Sequence, residues 1–150
     1  MKKITKALSI VLLFCLVFAL ASCGGLNQEA VKCTIIIGEE TFAVETKTRT
    51  LHEALLELKE NKIITTYEFT GTTFSPFVTK LCKLESSSQS RTFIALYHDI
   101  DDASLKLLDS ITWQPITTLV NGKTYFSSNV GFALLPIVEG ATYYIILATY

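Results

Sequence analysis

Hydrophobic and polar positions change their rhythm several times along this chain, and each change marks an element. Lys2, Lys3 and Lys6 lead into an uncharged apolar run, Ala7 to Leu20, broken only by Ser9. A bilayer-spanning helix needs about 20 apolar residues, and this run has 14. A basic start, a short apolar stretch and the small pair Ala21-Ser22 predict a secretory signal over residues 1–22. Residues 23–30, with Gly24-Gly25 and then Asn27, Gln28 and Glu29, read as a flexible polar tether. Val31 to Ile37 is a β-branched run, Gly38-Glu39-Glu40 is a turn, and Thr41 to Thr46 alternates with Phe42 and Val44 on one side. Together they predict a β-hairpin whose second strand has one wet face.

The period then lengthens. Leu51, Ala54, Leu55 and Leu58 follow the spacing i, i+3, i+4, i+7, with Glu53, Glu57, Lys59 and Glu60 opposite. Thr50-Leu51-His52-Glu53 forms a capping box and Asn61 is a stop signal, so a helix is predicted over about 51–60. Strand-like patterns return at Thr65–Thr70, Phe77–Leu84 and Arg91–Tyr97, with a turn at Gly71-Thr72-Thr73 and a serine-rich loop at Glu85–Ser90. Asp99–Asp109 reads as an acidic loop or short helical turn. Ile111–Val120 reads as an extended stretch interrupted by Pro115. Asn121-Gly122 is the strongest turn signal in the chain, and Tyr143–Ala148 is a closing strand. One helix among about seven strands predicts an α+β fold with a mostly antiparallel or mixed sheet.

Composition narrows the reading. Residues 23–150 are enough for one domain with its own core. Three of the 13 basic residues lie in 1–22 and none of the 14 acidic ones do, which leaves a net charge of −4 on the remainder. No basic run attracts a polyanion, so nucleic acid is not an expected partner. Of the four cysteines, Cys15 falls in the signal and Cys23 at its end. Cys33 and Cys82 remain: a disulfide pair in an exported protein, or two buried free thiols.

Leu20-Ala21-Ser22-Cys23, placed at the end of the apolar run, resembles the lipobox of bacterial lipoproteins. That resemblance implies a diacylglycerol on the Cys23 sulfur, cleavage before it, and a membrane partner reached through the lipid. The location it implies is the extracellular face of the cell membrane.

A second resemblance covers residues 31–150. Hairpin, one capped helix and further strands are the order of a β-grasp. The stretches Thr50–Leu58, Gly71 with Phe77–Leu84, Phe93–Tyr97, Asn121-Gly122 and Val138–Tyr143 together resemble a domain of bacterial surface lipoproteins. That domain is similar to the C-terminal domain of transcobalamin and intrinsic factor. The resemblance implies a β-grasp-like sheet crossed by the helix, with the last strand paired in its middle. It also implies a non-catalytic binding module, for a small molecule, a cobalamin-like ligand included, or for a surface partner. A structural or adhesion role through sheet edges is the competing expectation.

Candidate chemistry is sparse. Asp99-Ile100-Asp101-Asp102 beside His98 lacks the glycine and closing glutamate of a calcium loop, so no metal is expected. Glu39-Glu40, or Asp101 with Asp109, could be drawn as acid–base pairs, but no nucleophile elbow or phosphate loop accompanies them. The chain is therefore expected to be neither an enzyme nor dependent on a cofactor. Tyrosine and tryptophan join a large apolar face to a polar tip. Trp113, Tyr97 and Tyr67, with Asn121, are accordingly the candidate ligand-binding residues, and Tyr143 and Tyr144 must point to opposite sheet faces if both lie in one strand.

Overall fold

The structure is a computed structural model and describes residues 29–73, 75–101, 117–128 and 130–149. The signal segment, Cys23, Asp102, Asp109, Trp113 and Pro115 lie outside the described residues. The fold is α+β. Strands β1 (Val31–Ile37) and β2 (Glu40–Thr46) form the opening hairpin, followed by the helix α1 (Leu51–Glu60). Then come β3 (Tyr67–Thr72), β4 (Ser75–Leu81), β5 (Leu84–Glu85), β6 (Thr92–His98), β7 (Thr117–Val120), β8 (Lys123–Ser127) and β9 (Thr142–Thr149). Among the described residues these make a six-stranded sheet in the order β2-β1-β9-β6-β8-β7 and a three-stranded sheet β3-β4-β5.

The closing strand sits inside the larger sheet, parallel to β1 and antiparallel to β6. That insertion is the expected β-grasp-like arrangement. Strand parity then settles the faces. Cys33, Ile35 and Ile37 of β1, Val44 of β2, and Tyr143 and Ile145 of β9 join one core with Leu51, Ala54, Leu55 and Leu58 of α1. Tyr143 is fully buried, whereas its neighbour Tyr144 faces the other side, its ring 5.5 Å from Tyr125 and 6.5 Å from Tyr97.

The helix starts where its sequence says it should. Thr50 is extended, its hydroxyl accepts the Glu53 N–H, and the Glu53 carboxylate accepts the Thr50 N–H. The other early amides of α1, which have no intrahelical partner, donate to a distant loop: Leu51 N–H to the Leu135 carbonyl and His52 N–H to that of Phe132, each at 2.9 Å. The Tyr143 hydroxyl fastens the far end of that loop, donating to the Pro136 carbonyl and accepting the Val138 N–H.

Two stretches differ from their sequence pattern. The alternation across Phe77–Leu84 belongs to two strands, because the chain reverses at Cys82-Lys83 and Leu81 pairs with Leu84. Cys82 takes a left-handed φ of 52°, a conformation its residue type does not announce. The expected turn at Gly71–Thr73 begins later, since Gly71 and Thr72 are still paired to Pro76 and Ser75. Gly71 has a φ of +92°, and a Cβ there would lie 2.6 Å from the Ser75 carbonyl oxygen. Cys33 and Cys82 are both free thiols, on β1 and in the β4–β5 turn.

Candidate functional site

The concavity with a binding site's chemistry lies along the edge of β6, between the two sheets. It holds about 400 Å³ and is lined by Pro76–Val78 of β4, Phe93–Tyr97 of β6, and Ser127, Ser128, Val130, Gly131 and Phe132 after β8. Among the described residues no charged side chain lines it. Its size and apolar walls are those of a small-molecule site. Five consecutive β6 residues contribute because the groove follows the strand's edge and not a single face.

Serine hydroxyls and amides set the groove's width. Ser86 Oγ donates to the Val78 carbonyl and accepts the Ile94 N–H, both at 3.3 Å, tying β4 to β6 at one end. At the other end the Ser128 N–H donates to the Leu96 carbonyl at 2.8 Å, and Ser128 Oγ donates to the Val130 carbonyl at 2.5 Å. Among the described residues the direct β6–β8 ladder covers only Tyr97 and His98, so the strand edge between these ties borders the groove. The Leu134 and Leu135 amides close a turn on the Gly131 carbonyl, which places Phe132 against the start of α1 as the end wall.

Of the residues singled out by sequence, Tyr97 lines this groove. Tyr67 does not: it is 1% exposed, its hydroxyl lies 2.6 Å from His52 Nδ1, and its ring packs on Phe69. A core position under α1 removes it from ligand binding, and burial pushes its phenol far up in pKa. Asn121 is also not a lining residue. It and Gly122 take φ values of 49° and 79° at the tip of the β7–β8 hairpin, so its work is the turn. Trp113 lies outside the described residues.

The acidic cluster has a structural task in its described part. Asp99 pairs with Lys123 and accepts the Thr142 N–H at 2.7 Å. Burial raises its pKa, but the bonds from Lys123 and Thr142 outweigh burial and hold it below the usual carboxylate value. Glu40 is engaged by Lys83 at 2.8 Å. Among the described residues no three His, Cys, Asp or Glu side chains gather as a metal site. The Cys33 thiol is pushed up to about 11 by burial, with the Glu139 carboxylate adding to it, so it stays protonated at neutral pH.

Phe93, Val130 and Phe132 line the groove, and no local pattern in the sequence distinguishes them from core residues. The one available signal was Gly131, set among small and polar residues just before Phe132.

No protein-family profile matches the sequence, and no curated protein matches it. Among solved structures the chain is similar to a protein of Ruminococcus gnavus ATCC 29149 proposed to bind metal. The identity is 12%, covering 81% of this chain and 98% of that one, with a TM-score of 0.49. It is also similar to haptocorrin in complex with Cbi, at 15% identity over 86% of this chain, again with a TM-score of 0.49. The chain spans 28% of the haptocorrin chain.

Proposed function

We propose that this protein is a lipid-anchored, non-catalytic binding module on the extracellular face of the cell membrane, and that it takes an uncharged, largely apolar small molecule in the groove along β6. The observation that carries the reading is the groove itself: about 400 Å³ of apolar wall, with no charged side chain among its described lining residues and with the Ser127 and Ser128 hydroxyls on its border. A catalyst of acid–base or nucleophilic type needs converging titratable groups, and the described lining residues offer one, the Tyr97 phenol. The lipobox-like Leu20–Cys23 supports the anchor, and the resemblance to the vitamin carriers' domain places cobamides among the ligands to try. Thermal-shift screening against uncharged apolar small molecules, with cobamides, haem, sugars and peptides beside them, tests the reading. A ligand should raise the melting temperature of the native protein, and Val130→Glu, which sets a carboxylate in the groove, should abolish that rise. An equal rise in the variant would contradict it.

Docking of a partner protein is the second reading. The groove borders a strand edge, where an extended peptide could add as a strand with its side chains in the apolar walls. In that case the peptides in the screen would bind and the compact small molecules would not.

A further inference from the structure

His52 holds a buried side-chain nitrogen that lacks a partner among the described residues, and its backbone holds the groove's end wall. The residue is 1% exposed. Its Nδ1 lies 2.6 Å from the Tyr67 hydroxyl, while Nε2 is sealed from solvent with no hydrogen-bond partner among the described residues. The ring stands edge-on to Phe69 at 4.8 Å and 85°. A neutral imidazole has one N–H and one lone pair, and here one of the two is stranded among apolar groups. The backbone N–H of the same residue donates to the Phe132 carbonyl, beside the bond from Leu51 to Leu135. Phe132 lines the groove. Charge on the ring and the position of the wall therefore meet at one residue.

Protonation would make both ring nitrogens donors, with no acceptor for Nε2, at the positive end of a helix. The surrounding groups do little to help. Glu53, next on α1, commits its carboxylate to the Arg49 and Thr50 amides. From β3 comes the neutral Tyr67 phenol, and from the last turn of α1 the Lys59 ammonium, which donates to the Tyr67 carbonyl at 2.8 Å. The Phe132–Ile137 loop contains no titratable side chain. Burial depresses the His52 pKa below its ordinary 6.5, with Glu53 opposing more weakly.

We infer that His52 is an acid-operated latch on the groove: on taking up a proton it releases Phe132–Leu135 from the start of α1 and opens the end wall, while Tyr143 holds Pro136–Val138 as the pivot. The latch regulates the groove assigned above and rests on that reading for its purpose. Its readout is the loop, so failure to find a ligand and failure of the latch are separate results.

Hydrogen–deuterium exchange on the detergent-solubilised full chain tests it, with rates at pH 7.5 and 5.0 corrected for intrinsic chemistry. Segments 50–53 and 131–135 should lose about tenfold in protection at pH 5.0 as a local opening, while β1 and β9 keep theirs. His52→Asn, which retains a polar group for Tyr67 without titrating, should lose the response. An unchanged response in the variant, equal loss across β1 and β9, or no loss at all would overturn the latch. If the variant does not fold, the wild-type protein still decides. The NMR titration midpoint of the His52 ring must coincide with the midpoint of loop opening, and two distinct midpoints would refute the coupling.

Discussion

Single residues fix the start of α1, and their effects can be separated. Thr50→Ala removes the acceptor for the Glu53 amide and should cost about 1 kcal/mol of unfolding free energy, with the fold retained; chemical denaturation measures this. Leu55 is fully buried, so Leu55→Asp leaves a charge in the core and should cost several kcal/mol, read as a large drop in melting temperature. His52 gives a pH dependence of definite sign. Its folded-state pKa is depressed, so the neutral ring's contribution is present above the unfolded value of 6.5 and is lost as the pH falls below it towards the folded value. Denaturation midpoints measured between pH 7.5 and 5 should therefore decline in the wild type and decline less in His52→Asn. At this scale the sequence was informative for caps and poor for accessibility. Thr50 and Glu53 announce a capping box because that bond is local, three residues apart. Tyr67 looked like a binding aromatic because nothing local shows that α1 and the Phe69 ring cover it.

Elements were legible where their signals were local. The hairpin β1–β2 and α1 lie where their periods place them, and β9 exceeds its predicted range by one residue at each end. The β4–β5 break was hidden, because Cys82 turns the chain with a side chain that reads as a continuing strand. Strand β8 has no alternation that announces it in the sequence. Its Lys123–Ser127 stretch has only two buried or half-buried aromatics, and it depends on the Asn121-Gly122 turn to pair with β7. Turn glycines separate backbone freedom from crowding. Gly122 has a φ of +79° and open space around it, so Gly122→Ala should cost about 1 kcal/mol. Gly71 has both a left-handed φ and the Ser75 oxygen in the way, so Gly71→Ala should cost more, about 1–3 kcal/mol or above, and loosen the β3–β4 turn. Equal melting temperatures for the two variants would contradict the crowding argument.

On the scale of the whole molecule, the sheet order explains why the site was invisible in the chain. Among the described residues β8 pairs with β6 only at Tyr97 and His98, which leaves the rest of that β6 edge without a β8 partner, and the groove is assembled there from three separate stretches of sequence. Only Tyr97 was singled out beforehand, since Phe93, Val130 and Phe132 acquire their role from topology and not from spacing. The proposed anchor belongs to this scale as well. Cys23→Ala should move the protein from the membrane fraction to the medium and remove the acyl mass, and unchanged fractionation without an acyl adduct would end the lipoprotein reading. The central claim is that the groove binds. Amide spectra of ¹⁵N-labelled protein, titrated with the screened ligand of highest affinity, test it most directly. Saturable shifts should gather at Val78, Phe93–Tyr97, Ser127, Ser128 and Phe132. Shifts gathered at Tyr125, Tyr144 and the β7–β8 hairpin, or no saturable shift from any ligand in the panel, would contradict it.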